Sequence, residues 1–233
     1  MAVHALIPAA GTGRRMGAGS NKQYLQLGDR PILAHTLARL AALEAIDALH
    51  VIVPDDERPL CRAEVVERFG LAKVRTIVAG GTERQDSVRL GLAACGAADD
   101  DVVLIHDGVR PFFPAMQIAP LLAAAADSGA ALLAIPAQDT IKEVADGRVV
   151  RTLERRHLWQ VQTPQAFRCA VIRAAHHRAE AAGYAGTDDA ALVEWCGWPV
   201  AVLPGGPFNI KLTTPADLAL ARALLAAGLV EDA

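Results

Sequence analysis

Neither sign of charge dominates this chain: 23 Lys and Arg stand against 26 Asp and Glu, a formal net charge of -3. No global field therefore draws it to nucleic acid or to an anionic membrane, and basic residues that matter must act locally. Cysteine is sparse, and Cys61, Cys95, Cys169 and Cys196 show no C-x-x-C pair and no metal-ligand rhythm. Unpaired thiols are expected, and a zinc site is not. A secretory start is missing too, and charge, proline or glycine interrupts each later apolar run before about 18 residues. A soluble, cytoplasmic protein is the expectation. Without an internal repeat, a low-complexity tail or an evident linker, residues 1–233 are expected to form a single α/β domain.

What is present alternates. Short β-like runs are followed by alanine-rich helical stretches, the mark of a mostly parallel sheet flanked by helices. Strands are expected at Val3–Ile7, His50–Val53, Val74–Val78, Val102–His106 and Ala131–Ile135, with Pro199–Leu203 and Asn209–Leu212 as later candidates. Helices are expected at Ile32–Leu43, Ala63–Phe69, Asp86–Ala94, Met116–Ala126, Cys169–Ala182, Asp189–Trp195 and Pro215–Ala227. The last has a start signal in Thr214, Pro215 and Asp217. The rhythm breaks at 139–156, where "DTIKEVADGRVVRTLERR" reads as two alternating runs around Asp-Gly. Such a hairpin is marginal in water, so it is expected either to project as an arm onto a second subunit or to fold back on its own domain.

The stretch "LIPAAGTGRRMGAGSNKQY" places Gly11, Gly13 and Gly17 directly behind the first apolar run. Backbone N–H groups of such a turn can cradle phosphate. The spacing is G-x-G-x-x-x-G rather than the dinucleotide G-x-G-x-x-G, and no glycine precedes Lys-Ser or Lys-Thr. Arg14, Arg15 and Lys22 supply local positive charge instead, a planar fork in two cases and a movable point charge in the third. That pattern points to phosphoryl or nucleotidyl chemistry; the alternative is that these side chains only lace the surface.

In "LIHDGVRPFF" an apolar strand ends in His106, Asp107, Gly108 and Arg110. Ligands bind at such strand ends in open α/β sheets, so Asp107 and Arg110 are expected to face the crevice of the first loop, unless they only close their own loop as an ion pair. His106 reads as a packed, hydrogen-bonded histidine rather than a general base. In "GGTERQDSV" the paired glycines would admit a flat base, with Ser87 at its polar edge or serving only the helix start. Thr140, Arg155, Thr187 and Lys211 sit in turn contexts beside apolar runs and together offer a second anion site.

Taken in order, "PAAGTGRRMG", "NKQY", "GGTERQDSV", "HDGVRPF", "QDTIK", "QTPQAF", "TDDA" and "NIKLT" make the chain, from Val3 to about Leu225, resemble the 2-C-methyl-D-erythritol 4-phosphate cytidylyltransferases of the non-mevalonate isoprenoid pathway. The resemblance implies a Rossmann-like nucleotidyltransferase fold with a protruding β-arm contributing to a homodimer. It implies CTP and 2-C-methyl-D-erythritol 4-phosphate as substrates, with Mg²⁺ or another divalent ion carried on the CTP phosphates rather than on a protein metal site. By the same resemblance Arg15 and Lys22 stabilise the transition state, and Ala9, Ala10, Gly81 and Ser87 belong to the cytidine surface with Gly11, Gly13, Arg14 and Thr82 nearby. Asp107, Arg110, Thr140, Arg155, Thr187 and Lys211 fall on the acceptor side or the shared crevice, with Arg155 and Lys211 orienting the attacking phosphate and Arg155 reaching the neighbouring subunit. Thr82 stands where some members carry Asp, and Asp189 where others carry Glu. With no cyclodiphosphate synthase region after the last helix, the single-function form is expected. A cytidylyltransferase for ribitol 5-phosphate is the nearest alternative. A dinucleotide oxidoreductase and a non-catalytic nucleotide sensor are the readings outside this chemistry.

Overall fold

The computed structural model describes residues 1–11 and 21–230, so Gly13, Arg14 and Arg15 lie outside the described residues. The chain runs through β1 (Val3–Pro8), a short ribbon of β2 (Gln26–Leu27) and β3 (Arg30–Pro31), α1 (Ile32–Ala41), β4 (Ala48–Val53), α2 (Arg58–Cys61), β5 (Val74–Ala79), α3 (Arg84–Ala94) and β6 (Val102–Ile105). It continues through α4 (Ile118–Ser128), β7 (Ala130–Pro136), β8 (Lys142–Ala145), β9 (Arg148–Thr152), β10 (Trp159–Arg168), α5 (Cys169–Ala182), α6 (Asp189–Trp195), β11 (Ala201–Pro204) and α7 (Pro215–Ala226). Seven strands form one sheet in the order β11-β7-β10-β6-β1-β4-β5. All run in one direction except β10, which is antiparallel to both neighbours.

Successive side chains of a strand point to opposite faces, and here both faces are covered, which is why β6 and β7 read as unbroken apolar runs. On one face Ala5, Ile7, Val51 and Val53 pack with Leu33, Leu37 and Leu40 of α1 and Leu121 of α4. On the other, Leu6, Ile52, Val103 and Ile105 pack with Val88 and Leu92 of α3, Ile172 of α5 and Leu192 of α6. The four cysteines are free thiols, three of them buried.

Three expectations change. The helix expected at Ala63–Phe69 begins earlier, as α2, and continues as a wider π-helical turn over Arg62–Glu67. Asn209–Leu212 is not a strand: Ile210 and Leu212 join Val109 and Phe112 in a small core under α7, away from the sheet. The central strand β10 is absent from the sequence reading because Pro164 argues against a mid-sheet position. It is tolerated because the β10–β7 register shifts between Gln162 and Gln165, leaving Pro164 in the gap of the ladder.

Two local devices place functional segments. Thr214 and Asp217 form a capping box at the start of α7, with Pro215 in the first turn. Just before it, the Leu212 N–H donates to the Val109 carbonyl at 2.9 Å, pinning the Lys211 segment to the loop after β6. The second device is the arm: β7 and β10 are hairpin partners, and β8–β9 extend from their open end. Its turn is Asp146-Gly147, with φ 49° and 73°, the left-handed pair that a two-residue hairpin turn requires. Every residue of β8 and β9 is exposed, Val144, Val149 and Val150 included.

Candidate active site

The carboxyl ends of β1, β5 and β6 open onto one cleft, joined there by the start of β10, the turn before α6 and the Lys211 segment. Two adjoining cavities of about 230 and 430 Å³ make up this cleft, and Arg84, Asp107 and Lys211 stand in the walls of both. Ala9, Ala10, Gly11, Lys22, Gly81, Thr82 and Ser87 line the first. Arg110, Gln162, Thr163, Thr187 and Asp188 line the second. Lys22 and Lys211, 189 positions apart in "NKQY" and "NIKLT", thus face the same space.

Packing dictates the glycines of the first half. A β-carbon on Gly80 would lie 2.6 Å from the Ala10 β-carbon and 2.9 Å from Ser87 Oγ, and one on Gly81 would collide with the Asp86 side chain. The turn after β5 therefore packs against Ala10 and the start of α3 too closely for any side chain at either glycine, leaving a narrow slot. Ser87 braces it: its hydroxyl accepts from the Gly81 N–H and donates to the Glu83 carbonyl, both at 3.1 Å. Helix capping falls to Glu83 and Asp86, which form a capping box. Lys22 begins a single 3-10 turn beside the buried Gln23, which is tied to Glu57, and its Cε and Nζ lie alongside Gly11.

The shared wall is an ion cluster. Asp107, 5% exposed, meets Lys211 Nζ at 2.8 Å, Arg84 Nε at 3.3 Å and Arg110 Nε at 3.4 Å. Burial opposes its ionisation, but Arg84 and Lys211 outweigh that and hold its carboxyl well below the usual range. The expected Asp107–Arg110 pair is one third of a larger arrangement. Arg84 also reaches Asp189, 2.7 Å from Nη1, and Asp189 is 1% exposed with His176 Nε2 at 3.3 Å on its other oxygen. Again burial works against the charge, and Arg84, then His176, keep the Asp189 carboxyl lowered.

His106 is locked. Its Nε2–H donates to the Arg110 carbonyl at 2.9 Å, so its Nδ1 accepts, at 3.0 Å, from the Thr163 hydroxyl, which in turn accepts the Asp107 N–H at 3.1 Å. Burial drives its pKa down to about 4, leaving a neutral ring that fixes the loop and has no nitrogen to spare for a proton transfer. Asn209 closes the second half, donating to the Thr163 carbonyl and to Gln162 Oε1 at 2.8 and 3.1 Å.

Thr140 and Arg155 are not brought to the cleft by their own chain. Both are exposed near the base of the arm, Arg155 donating to the Gln138 carbonyl, and neither lines either cavity. Sequence reading missed Arg84 as a site residue, although a signal was there: a cation in a helix's first turn opposes the helix dipole and calls for a carboxylate partner. Gln162, Thr163 and Asn209 carried no such signal. Asp189, which stands where relatives carry Glu, has both carboxylate oxygens engaged, by Arg84 and His176. Among the described residues no group of three or more His, Cys, Asp or Glu side chains is placed to hold a metal ion.

A sheet whose strand ends join a narrow glycine slot to a second, cation-rich pocket belongs to the α/β nucleotidyltransferases, which bring a nucleotide and a phosphorylated acceptor together across such a seam. Within that class the family model "IspD: 2-C-methyl-D-erythritol 4-phosphate cytidylyltransferase" matches residues 3–227, and the chain belongs to this family. It is 56% identical over 225 residues to the 2-C-methyl-D-erythritol 4-phosphate cytidylyltransferase of Syntrophotalea carbinolica, with 97% of each chain covered. The enzyme of the same description from Geotalea uraniireducens is 55% identical over 226 residues, again with 97% of each covered. Among solved structures, 4-diphosphocytidyl-2C-methyl-D-erythritol synthase from Anaerococcus prevotii matches with a TM-score of 0.84 at 31% identity, covering 97% of this chain and 96% of that one.

Proposed function

We propose that this protein transfers CMP from CTP to 2-C-methyl-D-erythritol 4-phosphate, giving 4-diphosphocytidyl-2-C-methyl-D-erythritol and pyrophosphate. The observation that carries the reading is the pair of lysines, Lys22 and Lys211, on one cavity whose other wall is the glycine slot. The cytosine and ribose enter the slot of Ala9, Ala10, Gly11, Gly81, Thr82 and Ser87, and Lys22, with Arg14 and Arg15, meets the triphosphate. Asp107, Arg110, Thr187 and Lys211 receive the acceptor.

An oxygen of the acceptor phosphate attacks the α-phosphorus of CTP, and the bond to the bridging oxygen of pyrophosphate breaks in line. A phosphate monoester has a second pKa of about 6, so the nucleophile is already ionised and needs no protein base. A locked, neutral His106 agrees with that. The harder task is to bring two anions together and to stabilise the charge moving onto the leaving group, which Lys22 and Arg15 do on one side while Lys211 aligns the attacking phosphate on the other. A divalent ion such as Mg²⁺ fits as cargo of the nucleotide: both oxygens of Asp107 are taken by Arg84, Arg110 and Lys211, so the phosphates are the available ligands. Bound there, it would offset triphosphate charge.

Thr140 and Arg155 act in this reading from the arm of a second copy in a homodimer, which would also cover Val144, Val149 and Val150. No described helix is long and apolar enough to cross a membrane. The test is an assay with CTP and either 2-C-methyl-D-erythritol 4-phosphate or ribitol 5-phosphate, following nucleotide product and pyrophosphate together. Equal amounts of both products with the first acceptor are expected; preference for ribitol 5-phosphate, or CTP binding without turnover, would overturn the reading.

A further inference from the structure

From the wall of the cleft inward runs a chain of polar contacts of which the reaction as described uses only Asp107. Asp107 meets Arg84 at 3.3 Å, Arg84 meets Asp189 at 2.7 Å, and Asp189 meets His176 at 3.3 Å. Asp189 and His176 are 1% and 2% exposed at the side chain, and neither lines either cavity of the cleft. These residues come from three separate elements: Arg84 opens α3, Asp189 opens α6 and His176 lies in the middle of α5.

We infer that Arg84 is a positioning residue of the transfer reaction, held at the seam of the two half-sites by Asp189 and His176, and that through Asp107 it sets where Lys211 stands. The inference rests on the reading given under Proposed function. Its physical basis is the sharing of Asp107. The carboxylate Oδ1 takes Arg84, and Oδ2 takes Lys211 and Arg110. Were Asp189 uncharged, the Arg84 guanidinium would have one buried carboxylate left to satisfy it and would close on Asp107, competing with Lys211 for the same group. Lys211 would then lose the contact that fixes its ammonium toward the acceptor phosphate. Lysine at position 84 cannot replace arginine, because a point charge cannot bridge two carboxylates from Nε and Nη1 at once. The nucleotide slot is shaped by the close packing of Gly80 and Gly81, and neither Asp189 nor His176 lines its cavity, so changes at those two positions should leave CTP binding largely intact.

The signature is therefore an asymmetry between substrates. Asp189→Asn, nearly isosteric, is expected to lower kcat by about 30-fold and raise KM for 2-C-methyl-D-erythritol 4-phosphate by about 5-fold or more, with KM for CTP within about 2-fold; Arg84→Lys should lower kcat and raise the acceptor KM to the same extent. His176→Leu should move the same quantities in the same direction by about 5-fold, and His176→Gln, which can still donate to Asp189, should restore them to within about 2-fold. Thermal unfolding midpoints and calorimetric titration with 2-C-methyl-D-erythritol 4-phosphate accompany the kinetics. Weaker acceptor binding in Asp189→Asn supports the inference even if the wild-type protein fails to turn over, an outcome that would count against the assigned reaction alone. If Asp189→Asn or Arg84→Lys fails to fold, the histidine pair decides. Losses equal for both substrates, or acceptor binding and kcat within 2-fold of wild type, would overturn it.

Discussion

Cleft and arm both carry ion pairs, and they hold them in opposite ways. Asp107 is 5% exposed and serves three cations from three stretches of chain, whereas Arg151–Glu143 and Arg156–Glu154 on the arm sit with side chains at least 46% exposed. Water screens the second kind and leaves it little power to fix geometry, while the first is anchored on a carboxylate almost wholly withdrawn from water. The cleft is therefore preorganised by its own chain, and the arm is not. Lys22, Lys211 and Asp107 face the cleft within a single copy of the chain, whereas Thr140 and Arg155 line neither of its cavities.

The widest break in that comparison should come from the cleft. Lys22→Ala is expected to lower kcat about 10³-fold while leaving KM for the acceptor nearly unchanged, since its charge is needed at the transition state. Steady-state kinetics with an unaltered turnover number would defeat the assignment. Lys211→Ala should cost about 10²-fold in kcat/KM for the acceptor and less in that for CTP. Gly80→Ala, which drives a methyl into Ala10 and Ser87, is expected to raise KM for CTP about 10-fold with kcat little changed; an unchanged KM would mean that the slot does not hold the base.

The arm gives a smaller but sharper result. If Arg155 completes the partner's site, Lys22→Ala and Arg155→Ala homodimers are both weak, yet after subunit exchange in equal amounts about a quarter of the sites should recover full activity. No recovery would return Arg155 to its own chain. The last prediction concerns stability rather than turnover. His106 is held at about 4 against 6.5 for an unperturbed histidine. A lowered value favours the folded state fully above pH 6.5, and this advantage is lost as the pH falls from there to 4 and the unfolded chain takes the proton first, about 3 kcal/mol at most. Thermal midpoints recorded between pH 7 and 4.5 should fall less steeply in His106→Gln; parallel curves would disprove the effect.

Much of this was legible in the residues, for reasons that can be located. The parallel strands and their helices announced themselves because β6 and β7 are apolar on both faces and β1 and β4 nearly so, and helices α5 and α6 fall at the expected residues. The arm was legible from Asp-Gly between alternating runs. Strand β10 was not, because its polar face looks like a loop and Pro164 disguises a bulge. In the site, side chains that meet a ligand sit in short loop motifs and stand out one by one. Arg84, Asp189 and His176 do not, since what distinguishes them is pairing between separate helices, across 105 positions for Arg84–Asp189 and 13 for His176–Asp189. Long-range polar closure of that kind leaves no periodic trace.

The reversed strand has one more consequence. Because β10 returns directly beside β7, everything from Ala137 to Leu158 hangs between two hydrogen-bonded neighbours, closed by the Ala137 N–H to the Leu158 carbonyl at 2.9 Å. Lengthening or shortening that excursion would add or remove rungs without moving any other strand's partner, at an entropic cost that grows only with the logarithm of its length. The sheet and the length of the arm it carries can thus be retuned separately.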